Sequence, residues 1–462
     1  MKTLVPARRH VRTRFLNETE EFYFRSLDDP LRDSFLAVVA VLRRSPRLPD
    51  VQDVLARGAR EPRFRQRVAG EGTLVSPFFW HDAEQFDPAQ HFICTESGQG
   101  ATLPEVVRSL FSKYCESLDK RMPLWRLSLT HGLPGGGAVV LLKMHHSYMD
   151  GAALSMLLTA ILGVQSSPPW SSESFATARP DWRTVMRFRL ENEINLLGTM
   201  WAPVRAALRD PAARKNLARQ LLADAKLVRN MIAAPSAPPP STAVAPVPAG
   251  AIGRRLITRR FRTADWAHAA MAHGGGINEL FVTVAANALH RYYERIGDRR
   301  PSLRLAVPLA ARRGTSKALI GNAFRTVLLD LPRSDHGPLA LRTARAHVLA
   351  ARRNNGALHP TLNGLLSHLP RTQRERLSAK ALGSTSAVAS YMSLPARFTF
   401  ANAEVEELYG LPPGLGVPCV FMAVDYEGSI HLSINVNLRS VPEADELESL
   451  LDDEIRAFGV TA

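Results

Sequence analysis

One stretch of strand, turn and helix constrains the fold of this chain more than any other feature. The apolar run 138–142 is followed two residues later by His145-His146-Ser147-Tyr148-Met149-Asp150-Gly151. The run predicts a buried strand, and Asp150 stands at the N-cap position of a strongly apolar helix over 151–162. Both histidines therefore fall at the carboxyl end of a strand, where α/β proteins tend to place their chemistry.

The two adjacent histidines cannot have the same role, because neighbouring side chains of an extended chain point to opposite faces. We expect one imidazole to face a cavity while the other packs. With a pKa near about 6.5, a cavity-facing imidazole can take a proton from an alcohol, thiol or amine. The plainer alternative is that both histidines are core or surface residues and that Asp150 only caps the helix. A metal site is not expected, because three ligands in one turn do not make a tetrahedral set.

The seven residues match the His-His-x-x-x-Asp-Gly signature of the CoA-dependent acyltransferase superfamily. The surrounding sequence resembles one branch of it, the wax ester synthase/diacylglycerol acyltransferase family. Similar residues precede the motif in similar order: Pro62-Arg63-Phe64-Arg65, Trp80-His81-Asp82, Phe86-Asp87, His91-Phe92 and Pro123-Leu124-Trp125. Comparable signals follow it: Gly276-Ile277-Asn278-Glu279, Val307-Pro308-Leu309 and Gly321-Asn322.

This resemblance implies an α/β protein of two chloramphenicol-acetyltransferase-like lobes with a channel between them. Residues 1–165 would form the N-terminal lobe, which carries the motif. Residues 166–250 would be a basic helical segment and a proline-rich linker, and residues 251–462 would form the C-terminal lobe. A chain of 462 residues exceeds what one hydrophobic core usually serves, which agrees with two domains.

The resemblance also implies a reaction. His146 would be the general base that takes a proton from an acceptor hydroxyl as it attacks the thioester of acyl-CoA. His145, Asp150 and Gly151 would support the motif, with Asp150 pairing with an arginine, and Asn278 is a candidate channel or oxyanion contact. Acyl-CoA would be a co-substrate, with no permanently bound cofactor. The acceptor would be a fatty alcohol or diacylglycerol, giving wax ester or triacylglycerol.

One block departs from the family pattern. The residues Ser390-Tyr391-Met392-Ser393-Leu394-Pro395 stand in place of the family's Ser-Asn-Val-Pro-Gly-Pro, so its asparagine and glycine are absent. The acceptor can therefore be another molecule, such as a polyketide, a peptide or another lipid. A catalytically idle lipid-binding relative is the alternative from a different class of protein.

The net charge of the chain limits the classes of partner that it is expected to bind. A formal net charge of +15 attracts nucleic acid, anionic membrane surfaces and phosphorylated ligands alike. Nucleic-acid binding rests on charge alone, because no zinc spacing, helix-turn-helix pattern or aromatic RNA-binding motif is present, and we do not expect it. Three unpaired cysteines and the lack of a signal-peptide core indicate a cytoplasmic protein. No apolar stretch reaches the ~18 residues of a membrane span.

The segment between the lobes has its own pattern. Residues 181–232 predict two basic helices that are interrupted near Asp210-Pro211. The first helix carries an apolar stripe beside arginines: Trp182, Met186, Leu190, Leu196 and Leu197, with Arg183, Arg187 and Arg189. Such a stripe is usually a packing face. The alternative is an interfacial helix on the inner membrane face or on lipid droplets.

The remaining elements follow from local pattern. We expect a strand or buried helix over 31–42, helices over 50–57 and 103–118, and a strand over 123–129 in which Trp125 anchors the core. In the second half we expect strands over 254–261, 303–309 and 324–331, and a helix over 279–296 that Asn278 can cap. A hairpin turning at Glu427-Gly428 and a helix over 442–458 close the chain.

Overall fold

The computed structural model describes residues 13–25, 34–98, 100–162, 179–233, 253–310, 322, 324–333, 338–353, 366, 368–394 and 397–461. Its strands are β1 Arg14–Phe15, β2 Phe35–Leu42, β3 Gln66–Ala69, β4 Phe79–Asp82, β5 Phe92–Glu96, β6 Trp125–His131, β7 Ala138–His145, β8 Arg254–Arg262, β9 Ser302–Ala310, β10 Phe324–Pro332, β11 Ala387–Ser393, β12 Thr399–Phe400, β13 Ala403–Leu411, β14 Cys419–Tyr426 and β15 Ser429–Asn437. Its helices are α1 Glu18–Arg25, α2 Leu48–Gly58, α3 Pro62–Arg65, α4 Leu103–Cys115, α5 Gly151–Leu162, α6 Trp182–Arg209, α7 Pro211–Ala233, α8 Thr263–Ala272, α9 Ile277–Arg295, α10 Pro338–Arg353, α11 Arg371–Gly383 and α12 Ala444–Ala457.

A six-stranded sheet forms the centre of the first lobe, in the order β12-β13-β2-β7-β6-β5. Strands β2, β7 and β6 are antiparallel neighbours, while β5 runs parallel to β6. All eight residues of β2 are buried. Because both faces of β2 are buried, its sequence is apolar without alternation. Of the two predictions for residues 31–42, a strand or a buried helix, the strand is confirmed.

A second six-stranded sheet, in the order β10-β9-β11-β14-β15-β8, forms the centre of the second lobe. The expected hairpin is present, with β14 and β15 paired antiparallel. Its turn places Glu427 at φ 49° and Gly428 at φ 74°. Two successive left-handed residues give the tight turn that matches the twist of the flanking strands.

One strand from the second half of the sequence belongs to the first lobe. Strand β13 pairs antiparallel with β2, with Tyr409 opposite Val39. The second lobe is therefore not the continuous segment 251–462 that we expected, because residues 399–411 cross to the first sheet. A hydrophobic pattern indicates that a segment is a strand but not which sheet edge it joins.

A glycine permits this crossing strand to approach the second sheet. A Cβ placed on Gly410 would lie 2.5 Å from Cε of Met422 in β14. Met422, Val424 and Tyr426 of β14 are buried in the core of the first lobe, whereas Phe421 and Ala423 lie in the core of the second. The alternating faces of β14 thus join the two cores.

The local predictions around the motif are confirmed. Strand β7 extends the predicted 138–142 to His145, and α5 covers the predicted helix 151–162. The two helices between the lobes break at Asp210, as expected. Helix α1 and the three-stranded sheet β1-β4-β3 were not predicted. The proline-rich segment 234–250 lies outside the described residues.

Within the described part of the chain, no helix has both the length and the apolar composition that crossing a bilayer demands. The same residues contain no group of three histidine, cysteine, aspartate or glutamate side chains arranged to hold a metal ion.

Candidate active site

His146 follows directly after β7, and its backbone is held on both sides. Its amide donates a hydrogen bond to the carbonyl of Ser34 at 2.7 Å. Its carbonyl accepts one from the side-chain Nδ2 of Asn322, also at 2.7 Å. Residues from both halves of the sequence thus meet at the histidine.

Asn322 also fixes the tautomer of His146. Its Nδ2 donates to the carbonyls of His146 and Ser147, at 2.7 and 3.2 Å, so its Oδ1 must be the atom 3.1 Å from Nδ1 of His146. A carbonyl oxygen only accepts, so Nδ1 carries the hydrogen and Nε2 carries the lone pair. This is the tautomer that a general base acting through Nε2 requires.

Tyr23 of α1 covers the imidazole. The two rings stack with centroids 3.9 Å apart and an interplanar angle of 8°. His146 is only 7% exposed, whereas we expected a ring open to a channel. The difference arises because α1, the helix that covers the ring, was not predicted from the sequence.

Burial controls the charge of both histidines. Desolvation lowers the pKa of His146 to about 4, although Asp150 and Asn322 act in the opposite direction. Desolvation lowers the pKa of His145 to about 3, with a contribution from His146. Both rings are therefore neutral near pH 7, and a neutral imidazole is the form that accepts a proton.

His145 packs inside the first lobe. Its Nδ1 accepts a hydrogen bond from the Ser147 amide at 3.3 Å and lies 2.8 Å from the Ser147 hydroxyl. Its ring meets Phe35 edge-on, and its Nε2 bonds to no polar atom of the described residues. The side chain is fully buried, whereas a supporting role in the motif stays a prediction.

Asp150 and Gly151 begin α5. The Oδ1 of Asp150 accepts a hydrogen bond from the Ala153 amide at 2.8 Å, so this buried carboxyl caps the helix. A Cβ on Gly151 would lie 3.9 Å from the sulfur of Met392, which is ordinary contact. The end of β11, where the sequence departs from the family pattern, therefore lies beside the motif.

Asn278 does not cap its helix. Helix α9 begins at Ile277, its N-cap is Gly276, and the Glu279 carboxyl accepts from the Gly276 amide at 3.1 Å. Among the described residues, the amide side chain bonded to His146 belongs to Asn322. Gly321-Asn322 was part of the sequence resemblance, and this was the signal that could have identified the residue. The proposed contact of Asn278 with the reaction stays a prediction.

A buried polar network anchors the helix that carries Tyr23. Glu20 is fully buried and accepts hydrogen bonds from Trp80 Nε1 and the Asn17 amide, each at 3.2 Å. Trp80 meets Tyr148 of the motif edge-on, at 4.9 Å between centroids. The hydroxyl of Tyr148 accepts from the Leu124 amide at 2.8 Å. The cover over His146 is thus tied to the motif itself.

An apolar cavity of about 60 Å³ lies in the first lobe, between the sheet and helices α2 and α5. Val140 and Leu142 of β7 line it, and so does Leu157 of α5. Since alternate strand residues share a face, Val140 and Leu142 line the cavity from the same side of β7. Trp125 also lines it while anchoring the core, as predicted, through a hydrogen bond to the Phe64 carbonyl.

The chain matches known proteins over most of its length. Residues 22–281 match the wax ester synthase/diacylglycerol acyltransferase catalytic domain, and residues 320–458 match the C-terminal domain of the same family. A Mycobacterium tuberculosis protein provisionally named a diacylglycerol O-acyltransferase is 26% identical over 395 residues, which cover 83% of this chain and 79% of that protein.

Two solved structures share the fold. The wax ester synthase/diacylglycerol acyltransferase from Marinobacter aquaeolei has a TM-score of 0.60 at 16% identity, covering 96% of this chain and 100% of its own. The starter condensation domain of rhizomide synthetase, a mutant in complex with C8-CoA and Leu-SNAC, has a TM-score of 0.62 at 12% identity, covering 96% and 93%. The two-lobed chloramphenicol-acetyltransferase-like fold expected from the sequence is confirmed.

Proposed function

Since the chain belongs to the wax ester synthase/diacylglycerol acyltransferase family, we propose that it moves a long-chain acyl group from acyl-CoA to the hydroxyl of a fatty alcohol or diacylglycerol. The products are a wax ester or triacylglycerol. The observation that carries this proposal is the hydrogen bond between Nδ1 of His146 and Oδ1 of Asn322, which orients a neutral imidazole with its lone pair on Nε2.

His146 is the general base of the proposed reaction. The acceptor oxygen attacks the thioester carbonyl, a C–O bond forms, and the hydroxyl proton moves to Nε2. The C–S bond then breaks, and the imidazolium returns the proton to the departing CoA sulfur. With a pKa of about 4, the imidazole gains the proton only as the oxygen bonds to carbon, because only then is the hydroxyl acidic enough.

Burial of the site suits transfer to an alcohol instead of water. Tyr23 lies over one face of the His146 ring and limits the approach of solvent. A water molecule at Nε2 would hydrolyse acyl-CoA, so its exclusion favours ester formation. Asp150 supports the motif by capping α5, and His145 supports it by packing.

Two observations support acyl-CoA as the donor. A solved structure with the same fold holds C8-CoA. The net charge of +15 favours an anionic co-substrate such as CoA.

The altered block near the acceptor side supports a second candidate acceptor. Met392 lies next to Gly151 at the end of β11, where the family asparagine and glycine are missing. A bulkier wall there fits an acceptor of another shape, such as a polyketide, a peptide or another lipid. Mass spectrometry of products from mixed acceptors separates these outcomes.

We propose that the enzyme works in the cytoplasm at a lipid surface, on the inner membrane face or on lipid droplets. An alcohol or diacylglycerol with a long chain partitions into lipid, so the protein must meet it there.

The decisive experiment compares His146→Ala with His131→Ala, a histidine at the end of β6 outside the motif. The product is ester formed from acyl-CoA and hexadecanol or diacylglycerol. We expect His146→Ala to lose about 10²–10⁴-fold in rate and His131→Ala to retain activity. An equal rate in His146→Ala and the unaltered protein would rule out His146 as the general base. The absence of turnover with every acyl-CoA in the unaltered protein would favour an idle lipid-binding relative.

A further inference from the structure

Helix α6 exposes a continuous apolar face. The large side chains on it that are open to solvent recur every three, four or seven residues: Trp182, Met186, Leu190, Ile194, Leu197, Trp201 and Leu208. At 3.6 residues per turn, this spacing places them within about a third of the helix circumference. We name these seven residues the α6 stripe. The stripe predicted from the sequence included four of these residues and Leu196, and a packing face was expected, with an interfacial helix as the alternative. In the described structure Leu196 is half-buried and the other four are open to solvent.

A separate strip of α6 packs against the rest of the protein. Val185, Met200 and Ala207 are the buried residues of the helix, and Phe188 stacks on Phe15 with ring centroids 4.0 Å apart. The helix is therefore held in place through one side while the α6 stripe stays open. Trp182, at 70% exposure, is the most open tryptophan side chain of the stripe.

A surface loop adds to the same apolar area. Leu74 and Val75 are 80% and 84% exposed, which makes them the most exposed large apolar residues of the described chain. Arg189 of α6 donates to the carbonyl of Thr73, next to Leu74, at 3.0 Å. This contact holds the loop beside α6. Two elements distant in sequence therefore contribute exposed apolar side chains to one region of the surface, which is not expected of apolar residues scattered singly.

Exposed arginines outnumber exposed carboxylates beside the α6 stripe. Arg183, Arg187 and Arg205 are exposed and lie on or along its edge, and Arg183 lies over the Trp182 ring at 5.5 Å. Two exposed carboxylates accompany them: Glu191 forms an ion pair with Arg187 at 2.8 Å, and Glu193 lies 3.3 Å from Nε2 of His368. Tryptophan and aliphatic side chains flanked by arginine are the composition of a helix that lies in a phospholipid headgroup layer.

We propose that the α6 stripe, together with Leu74 and Val75, is a docking surface that inserts into an anionic phospholipid surface. The helix lies along that surface for about 42 Å, given 1.5 Å per residue. The arginines meet lipid phosphates while the apolar side chains enter the acyl boundary. Charge complementarity favours a lipid surface as the occupant, because exposed arginines outnumber exposed carboxylates beside the stripe and phospholipid headgroups can be anionic.

The docking surface also leads to the candidate active site. Phe188 of α6 stacks on Phe15, and two residues later Asn17 donates a hydrogen bond to the carbonyl of Asn322 at 3.4 Å. Helix α1, which follows Asn17, places Tyr23 on His146. This link rests on the proposed function, because it matters only if a lipid acceptor moves from the surface to His146.

The test measures partition of the full chain onto phosphatidylcholine vesicles with and without phosphatidylglycerol. The variant Trp182→Ser/Leu190→Ser/Trp201→Ser removes apolar area from the stripe. Its matched control, Leu48→Ser/Met271→Ser/Ile296→Ser, alters exposed apolar residues elsewhere on the surface. We expect the stripe variant to bind anionic vesicles at least about tenfold more weakly, and the control variant to bind as the unaltered protein does.

A second variant isolates charge. Arg183→Gln/Arg187→Gln/Arg205→Gln is expected to lose about tenfold or more in binding to phosphatidylglycerol vesicles, together with most of its salt dependence. Binding to neutral vesicles should not change. In the unaltered protein, tryptophan emission should shift to the blue on binding and be quenched by brominated acyl chains, since Trp182 and Trp201 would enter the lipid.

Three results would overturn the proposal. One is equal vesicle binding by the stripe variant and the unaltered protein. Another is tryptophan emission that vesicles do not change. The third is a dimer in solution that the stripe variant dissociates, without any vesicle binding by the unaltered protein. His146→Ala should lose ester formation and bind vesicles normally, because it alters only the proposed chemistry. The stripe variant should bind vesicles weakly and keep an intact His146, so weak binding in that variant tests the docking surface alone.

Discussion

The side-chain Oδ1 of Asn322 lies 3.1 Å from Nδ1 of His146, across 176 positions of sequence. The same asparagine donates to the carbonyl of His146. One residue of the second half therefore fixes both the backbone and the tautomer of the motif histidine in the first.

Replacing this asparagine tests the arrangement. Asn322→Leu removes the acceptor at Nδ1 and the donor to the two motif carbonyls. We expect kcat to fall roughly 10- to 100-fold, because a buried hydrogen bond contributes about 1–3 kcal/mol when one partner is lost. Steady-state ester formation measures it. Asn278→Leu is the comparison, and a larger loss there than in Asn322→Leu would assign the polar contact to Asn278 instead.

The rate should depend on pH through His146. Its folded pKa of about 4 leaves the imidazole neutral from pH 6 to pH 8, so the rate should be level there and fall as the pH approaches 4. Asn322→Asp places a carboxylate at Nδ1, which favours the imidazolium. The acid limb of the kcat profile should therefore move to higher pH in this variant. An unchanged acid limb would mean that another group limits the reaction.

Removing the ring that covers His146 should admit water. Tyr23→Ala exposes one face of the imidazole, so we expect its pKa to rise toward 6.5 and acyl-CoA hydrolysis to rise relative to ester formation. The ratio of free fatty acid to ester measures this. Phe22→Ala changes the adjacent and more exposed ring of the same helix, and its product ratio should match that of the unaltered protein.

Acid should destabilise the fold through buried neutral histidines. Burial lowers the pKa of His145 to about 3, and of both His146 and His431 to about 4, from 6.5. Between about pH 6.5 and pH 4 the unfolded chain binds more protons, so stability is complete above 6.5 and is lost as the pH falls. Each shift to about 4 is worth roughly 3 kcal/mol. Urea midpoints at pH 7 and pH 5 measure it, and His431→Leu should reduce the difference between them.

At the start of α5, Asp150→Ala should destabilise the fold, whereas Gly151→Ala should be tolerated. Asp150→Ala removes the hydrogen bond to the Ala153 amide and should lower the free energy of unfolding by about 1 kcal/mol. Gly151→Ala should leave it nearly unchanged, since the added Cβ would stand 3.9 Å from the Met392 sulfur. Equilibrium urea unfolding compares them. A severe loss in Gly151→Ala would show that the two lobes approach more closely there than this structure has them.

The sequence alone determined the features that depend on neighbouring residues. The strand, the histidine pair and the apolar helix over 151–162 could be predicted because hydrophobic spacing and capping are local. The break at Asp210 and the hairpin at Glu427-Gly428 follow from the same local rules. The resemblance around the motif was enough to predict the two-lobed fold.

Only the tertiary structure decided what meets the motif. Tyr23, Asn322 and Met392 come to it from distant segments, and β13 crosses to the first sheet, because long-range pairing depends on the complementarity of whole surfaces. The α6 stripe shows the same limit. Its spacing predicted an apolar face, but a packed face and a face open to solvent share one pattern, and only the positions of all other elements show which it is.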